Sequence, residues 1–169
     1  MSISYSMFYK CVCAHNGGAI YFSSTYSCLK MICANQCSCG SSITYMCHFA
    51  YLSASQVNRC EYLSVSYCST TTAGYYSMLF SSGNQGFDNT NSSMNNAVQY
   101  SGIRISSPSS FTSSHCTFSN NKVSNSICIN FDSYSGAISM SYANIVHNNS
   151  PSNYGVVLVE GGGSKNLVN

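Results

Sequence analysis

His115-Cys116-Thr117-Phe118-Ser119-Asn120-Asn121 is a small polar lead-in, an apolar residue, and asparagine two or three positions on. Looser copies run along the chain. Met31-Ile32-Cys33-Ala34-Asn35 and Gln85-Gly86-Phe87-Asp88-Asn89 are two; Asn144-Ile145-Val146-His147-Asn148-Asn149 and Asn166-Leu167-Val168-Asn169 come later. Arg59-Cys60-Glu61-Tyr62-Leu63 keeps the apolar pair without the asparagine. Val12, Ile32, Leu63, Phe87, Phe118, Val146 and Val168 are the apolar positions that align. Their spacing, roughly 20 to 30 residues, is the signature of a solenoid.

The type of repeating unit follows from a second set of short apolar segments. These include Ala19-Ile20-Tyr21-Phe22, Ile43-Thr44-Tyr45-Met46, Ser77-Met78-Leu79-Phe80, Gly102-Ile103-Arg104-Ile105, Ile127-Cys128-Ile129-Asn130-Phe131 and Val156-Val157-Leu158-Val159. Ile127, Ile129 and Phe131 alternate with Cys128 and Asn130, which is strand periodicity. Serine, asparagine and glycine clusters between the segments are turn material, and strong helix formers are scarce. The pattern predicts an all-β chain: a parallel β-helix of about seven short coils, stacked at about 4.8 Å. Phe118, Ile127, Ile129 and Val157 are expected in the core. The asparagines are expected to stack coil upon coil, since an amide supplies both donors and an acceptor. Asn120 is the expected stacking residue and Asn125 a plain turn residue; Gly17, Gly18, Gly102, Gly136 and Gly155 are expected at corners.

Composition agrees. The chain has 169 residues, 44% of them apolar and 13% aromatic, which fits one folded domain over residues 1–169. Fourteen tyrosines and no tryptophan suit strands. The net charge is +2 from six basic and four acidic residues, too few and too scattered for a nucleic-acid footprint. No apolar run reaches the ~20 residues of a membrane helix. The start, Met1-Ser2-Ile3-Ser4-Tyr5-Ser6-Met7-Phe8, lacks the basic segment and apolar core of a signal peptide. Either a cytosolic protein or a segment of a longer secreted or surface chain would account for that. In the second case, open coil edges at the ends would template self-association.

Eleven cysteines are present, and eight of them fall between Cys11 and Cys60. An oxidising compartment would pair most and leave one over. Cys33-x3-Cys37-x-Cys39 and Cys11-x-Cys13 lack the paired C-x2-C knuckles of structural zinc. Free, buried cysteine acting as a small hydrophobe is the simplest reading.

Gly17-Gly18-Ala19-Ile20 matches the GGAI motif, and Phe118-Ser119-Asn120-Asn121 the FxxN motif, of polymorphic membrane protein repeats. Val146-x-x-Asn149 followed by Gly155-Val156-Val157 looks like a degenerate pair of the two. Cys13-Ala14-His15-Asn16 ahead of GGAI looks like another, and Ser135-Gly136-Ala137-Ile138 like a partial GGAI. The chain thus resembles these right-handed parallel β-helices of the pectin lyase-like superfamily. The resemblance implies surface display or adhesion without catalysis, towards a host or self protein or a glycan. Its structural repeat residues are Gly17, Gly18, Ala19, Ile20, Asn35, Phe87, Asn89, Phe118, Asn120, Asn121, Val146 and Asn149. It implies an extracellular or cell-surface location as part of a longer chain.

The alternative function is a carbohydrate-active enzyme, or an inactive relative, on the same fold. Such enzymes group carboxylates on one face beside a basic residue. Glu61, Asp88, Asp132 and Glu160 fall in different coils, with Arg59 and Arg104 as basic candidates. Glu61 and Asp88 are separated by about the length of one repeat, so one coil could bring them into register. His15 and His147 each precede a repeat asparagine and are expected at one type of corner, too far apart to share a metal. Gly161-Gly162-Gly163 lacks the lysine and hydroxyl residue of a phosphate loop. Asn91-Ser92-Ser93 and Asn148-Asn149-Ser150 are sequons, relevant only to a secreted chain. No catalytic, cofactor or metal residue is assigned.

Overall fold

A computed structural model describes residues 1–40, 47–69, 74–151, 153 and 155–168. The segment Ile43-Thr44-Tyr45-Met46 and Asn169 lie outside the described residues. The fold is an all-β parallel solenoid of about six turns, one fewer than the seven expected. Among the described residues, no helix is long and apolar enough to cross a membrane.

Every strand pairing among the described residues is parallel, between one coil and the next. One stack runs through Tyr76–Ser81, Ile103–Ser106, Ile129–Asp132 and Val157–Glu160. A second runs through Asn84–Asp88, Ser110–Ser114, Ala137–Ser141 and Lys165–Val168. A third, shorter stack holds Asn91–Ser93, Thr117–Ser119 and Asn144–Val146. The long strands Ile20–Asn35 and Cys47–Ser66 bend through all three. Inward residues of facing stacks fill the core. Phe80, Phe87, Phe111 and Phe131 pack as a chain of rings with centroids 4.6 to 5.8 Å apart.

Two corners recur from coil to coil as single residues in the left-handed backbone region, and Ser69, Ser82 and Ser107 add further left-handed turns in the central coils. One column is Tyr5, Met31, Tyr62, Asn89, His115 and Tyr142; the other is Lys10, Gln36, Tyr67, Met94, Asn120 and His147. The two columns keep the same offset from each other in every coil. Side chains bonded across one coil are 31 apart in sequence for Ser27 and Asn58, 26 for Asn95 and Asn121, and 27 for Asn121 and Asn148. These separations, rather than the spacing read from apolar residues, are the true coil lengths. Ile32 and Leu63 are in register with one another. Phe87 belongs to another column, beside Cys60 and Ser113, and Phe118 to a third, beside Ser92 and Ile145.

The stretch His115–Asn121 is therefore one side of a coil: corner, inward Cys116, strand, inward Phe118, corner, then a buried asparagine. That asparagine is Asn121. Asn120 is the exposed corner residue at φ 54°, not the stacking residue. The Asn121 Oδ1 accepts from the backbone N–H and the side-chain amide of Asn95, both at 3.1 Å. Asn148 Oδ1 does the same for Asn121, both at 3.0 Å. Each amide also donates to a carbonyl one coil back: Asn95 to Val65, Asn121 to Ser92, Asn148 to Phe118. The last motif is thus Ile145-x-x-Asn148. Val146 and Asn149 sit one residue along and are exposed. Asn35 is outside this column as well; its amide donates to Ser66 Oγ at 2.9 Å. Asn89 is a half-buried corner.

Gly17 and Gly18 are buried where a side chain has no room. Gly17 has φ 67°, and a Cβ on Gly18 would collide with the carbonyls of His48 and Ser38. Ala19 is half-buried against the core and Ile20 is inside it, in the column of Met78, Ile103, Ile129 and Val157. Gly155-Val156-Val157 shares that column, whereas Ile138 of Gly136-Ala137-Ile138 stacks on Phe111 in the second stack. His15 is not at the corner of His147, whose equivalent in the first coil is Lys10.

Replacing Asn121 by alanine removes partners from buried donors and acceptors in two neighbouring coils, so destabilisation of about 3 kcal/mol is expected. Asn120→Ala loses only the left-handed tolerance of asparagine, about 1 kcal/mol. Asn125→Ala, at an exposed site, should stay within about 0.5 kcal/mol. Denaturant unfolding of the three variants measures this order.

Candidate functional site: a corner ridge beside a polar cleft

The column Tyr5, Met31, Tyr62, Asn89, His115 and Tyr142 forms a ridge along the rod. Tyr5 is 77% exposed, Tyr62 53% and Tyr142 62%. Bulky residues are uncommon in the left-handed region, where asparagine or glycine is less strained. The ridge therefore holds large exposed side chains where fold stability alone favours small ones. His115 and Tyr142 stack with ring centroids 5.0 Å apart and planes 10° apart.

Next to the ridge lies the outer face of the second stack. Lys30, Glu61, Asp88, Ser114 and Ser141 form one outward column by register. Arg59, Gly86, Thr112 and Ser139 form its neighbour. Gly86 matters here: a Cβ would meet the Arg59 guanidinium, so its absence lets Arg59 lie along the face. The result is a cleft of about 300 Å³ whose polar lining includes Arg59, Asp88, Thr112, Ser114 and Ser141.

Glu61 and Asp88 are register partners, as one coil of separation allows. Glu61 is held by Lys30 Nζ at 3.2 Å and Arg59 Nε at 3.9 Å. Asp88 accepts from Ser114 Oγ at 2.5 Å and lies 3.6 Å from His115 Nδ1. The Ser114 hydrogen bond, followed by the His115 interactions, holds the Asp88 carboxyl below its ordinary range. That suits a fixed anion that orients a ligand. A general acid needs the opposite shift.

Asp132 and Glu160 are also register partners, on the first stack. Arg104 lies 3.5 Å from Asp132 and over the Tyr76 and Tyr100 rings, and it donates to the Tyr76 hydroxyl at 2.9 Å. Tyr76 and Tyr100 stack at 5.4 Å, and Asn130 donates to Glu160 at 3.2 Å. The four acids thus form two separate pairs, each with its arginine. Among the described residues, no three acids, cysteines or histidines make a metal-holding group.

Compared with protein-family models, curated proteins and solved structures, the chain matches none.

The Asp88 interactions have a pH signature. A depressed folded-state pKa contributes stability above the unfolded aspartate value of about 3.9, and that contribution disappears as pH falls through the lower folded-state value. Ser114→Ala should move the Asp88 titration midpoint upward towards the unfolded value. Carboxyl NMR titration checks it.

Proposed function

We propose that this chain is a non-catalytic β-solenoid of a surface or secreted protein, with a structural and adhesive role. It would hold a glycan or a partner protein along the corner ridge and the cleft beside it. The exposed rings of the ridge carry this reading: Tyr5, Tyr62, His115 and Tyr142 stand on one line of corners, which suits an extended ligand, and such rings dominate binding surfaces. The cleft adds hydroxyls from Thr112, Ser114 and Ser141 with the opposed charges of Arg59 and Asp88. A polyhydroxylated ligand finds both donors and acceptors there.

The GGAI and FxxN motifs support membership of the polymorphic membrane protein-type repeats, and with it a surface location and a longer parent chain. In-register Phe118-x-x-Asn121 and Ile145-x-x-Asn148 strengthen that likeness. A second contact would use the last described coil. There Met140, Ala143, Ile145, Val157, Leu167 and Val168 line an open apolar hollow of about 210 Å³. A further coil, from this chain or another, would cover it.

The test is binding to an oligosaccharide panel and to glycoproteins with and without their glycans. Tyr62→Ala/Tyr142→Ala should weaken binding about tenfold or more, which is about 1.4 kcal/mol, with unchanged circular dichroism. Undiminished binding removes the ridge from the proposal. Release of new reducing or unsaturated ends from a polysaccharide would replace it with the enzymatic alternative.

A further inference from the structure

The buried asparagine column continues towards the first coil as cysteine. Backbone hydrogen bonds from Ser38 to the Cys11 carbonyl, Ser69 to that of Cys37 and Asn96 to that of Cys68 put Cys11, Cys37 and Cys68 in register. Asn95 comes next, and Cys68 N–H donates to Asn95 Oδ1 at 2.8 Å. Cys37 Sγ lies 3.5 Å from the Phe8 carbonyl oxygen, the one-coil-back contact that the Asn148 amide makes to Phe118. Cysteine thus stands in the amide's place.

We infer that Cys11 and Cys37 form a thiol pair that closes to a disulfide by exchange with a small-molecule disulfide, stapling the first coil to the second. Register neighbours on parallel strands lie about 4.8 Å apart, inside the roughly 4.4–6.8 Å Cα range of disulfides. Cys11 is the half-exposed member and Cys37 is buried behind it, so exchange enters at Cys11. With oxidised glutathione, the Cys11 thiolate attacks one sulfur and a glutathione thiolate leaves. The Cys37 thiolate then attacks Cys11 Sγ, the Sγ–Sγ bond forms, and the second glutathione thiolate leaves. Two protein thiols lose two electrons and two protons. Glutathione disulfide gains both as two thiols.

Cys37 is prepared for the second step. A hydrogen bond from the Cys68 thiol, opposed by burial, brings the Cys37 pKa down to about 6. That same hydrogen bond pushes the Cys68 pKa up, so Cys68 stays protonated as the donor. Cys13 and Cys39 supply an internal comparison. They are register partners too, but burial pushes Cys39 up to about 11, beside His48 Nδ1 at 3.5 Å. Equal backbone geometry with a protonated buried thiol should close far more slowly at neutral pH.

The experiment treats the folded chain with oxidised glutathione and maps linked peptides by mass spectrometry. The expected product is a Cys11–Cys37 link with a raised thermal midpoint. Cys37→Ser should trap glutathione on Cys11, and Cys11→Ser should leave Cys37 unmodified. Burial raises the Cys11 thiol pKa and slows the first exchange, so the second step is read from the isolated Cys11–glutathione adduct: its closure should titrate with a midpoint near the Cys37 value of about 6, shift to higher pH with Cys68→Ala, and be restored by Cys68→Ser, which keeps a donor. A glutathione adduct persisting on Cys11 of the unaltered chain overturns the inference. So does a Cys37–Cys68 link, or a glutathione adduct on Cys13 that closes onto Cys39 as fast as the Cys11 adduct closes onto Cys37.

Discussion

Each turn of this solenoid bends at two recurring corners through a single left-handed residue, and the next coil holds that residue in place. The corner amides donate across: Gln36 to the Ser66 carbonyl, Met94 to Ser119, Asn120 to Val146, and likewise Asn89 to Ser114 and His115 to Ser141. A left-handed residue costs roughly 1–2 kcal/mol when it is not glycine. Two or more per coil are tolerable only because neighbouring coils over-determine the geometry. The offset between the two corners is therefore constant, from Tyr5 and Lys10 to Tyr142 and His147. Coil length is not: it is longer across Ser27 and Asn58 than across Asn95 and Asn121. Part of the variation is taken up between the first and second stacks, where the register shifts between Ser24 and Tyr26. Between the corners the faces keep a fixed register, which a regularly spaced ridge requires.

That constraint explains how much could be read from the sequence. Strand alternation, turn composition and repeat length are local properties, and they sufficed for an all-β parallel solenoid. Register was harder. Ile145 and Val146 are both apolar, and Asn148 and Asn149 are both asparagine, so the sequence cannot say which pair is in phase. A one-residue slip turns every side chain to the opposite face. What decides is the hydrogen bonding of Asn148, which takes the Asn121 N–H and returns its own amide to Phe118. Phe87 and Phe118 were likewise aligned although they sit on different sides of the coil, because each side contributes inward apolar residues.

The site was legible in parts. Glu61 and Asp88 could be suspected from their spacing, and they are in register. Their partners could not: Gly86 looks like a turn residue until it is seen to make room for Arg59. The corner ridge left little signal, because tyrosine and methionine are not left-handed residues by preference. The cysteine column was hidden for another reason. Sequence patterns distinguish thiol from amide, whereas the coil interior treats both as compact groups able to reach a carbonyl one turn back.

The ridge and the cysteines are linked through the first coil. Ile3 and Phe8 are only partly buried there, so fewer apolar contacts hold that coil than any central one. Tyr5, the most exposed tyrosine of the ridge, belongs to it and reaches the column of Met31 and Tyr62 only while the coil stays docked. Cys11 follows shortly after Tyr5 and lies against Cys37 of the second coil. A covalent bond at that point would restrain the coil where burial restrains it least. The alignment of the ridge would then depend on the oxidation state of two residues, while the asparagine column, which has no thiol to oxidise, holds the later coils in register in either redox state.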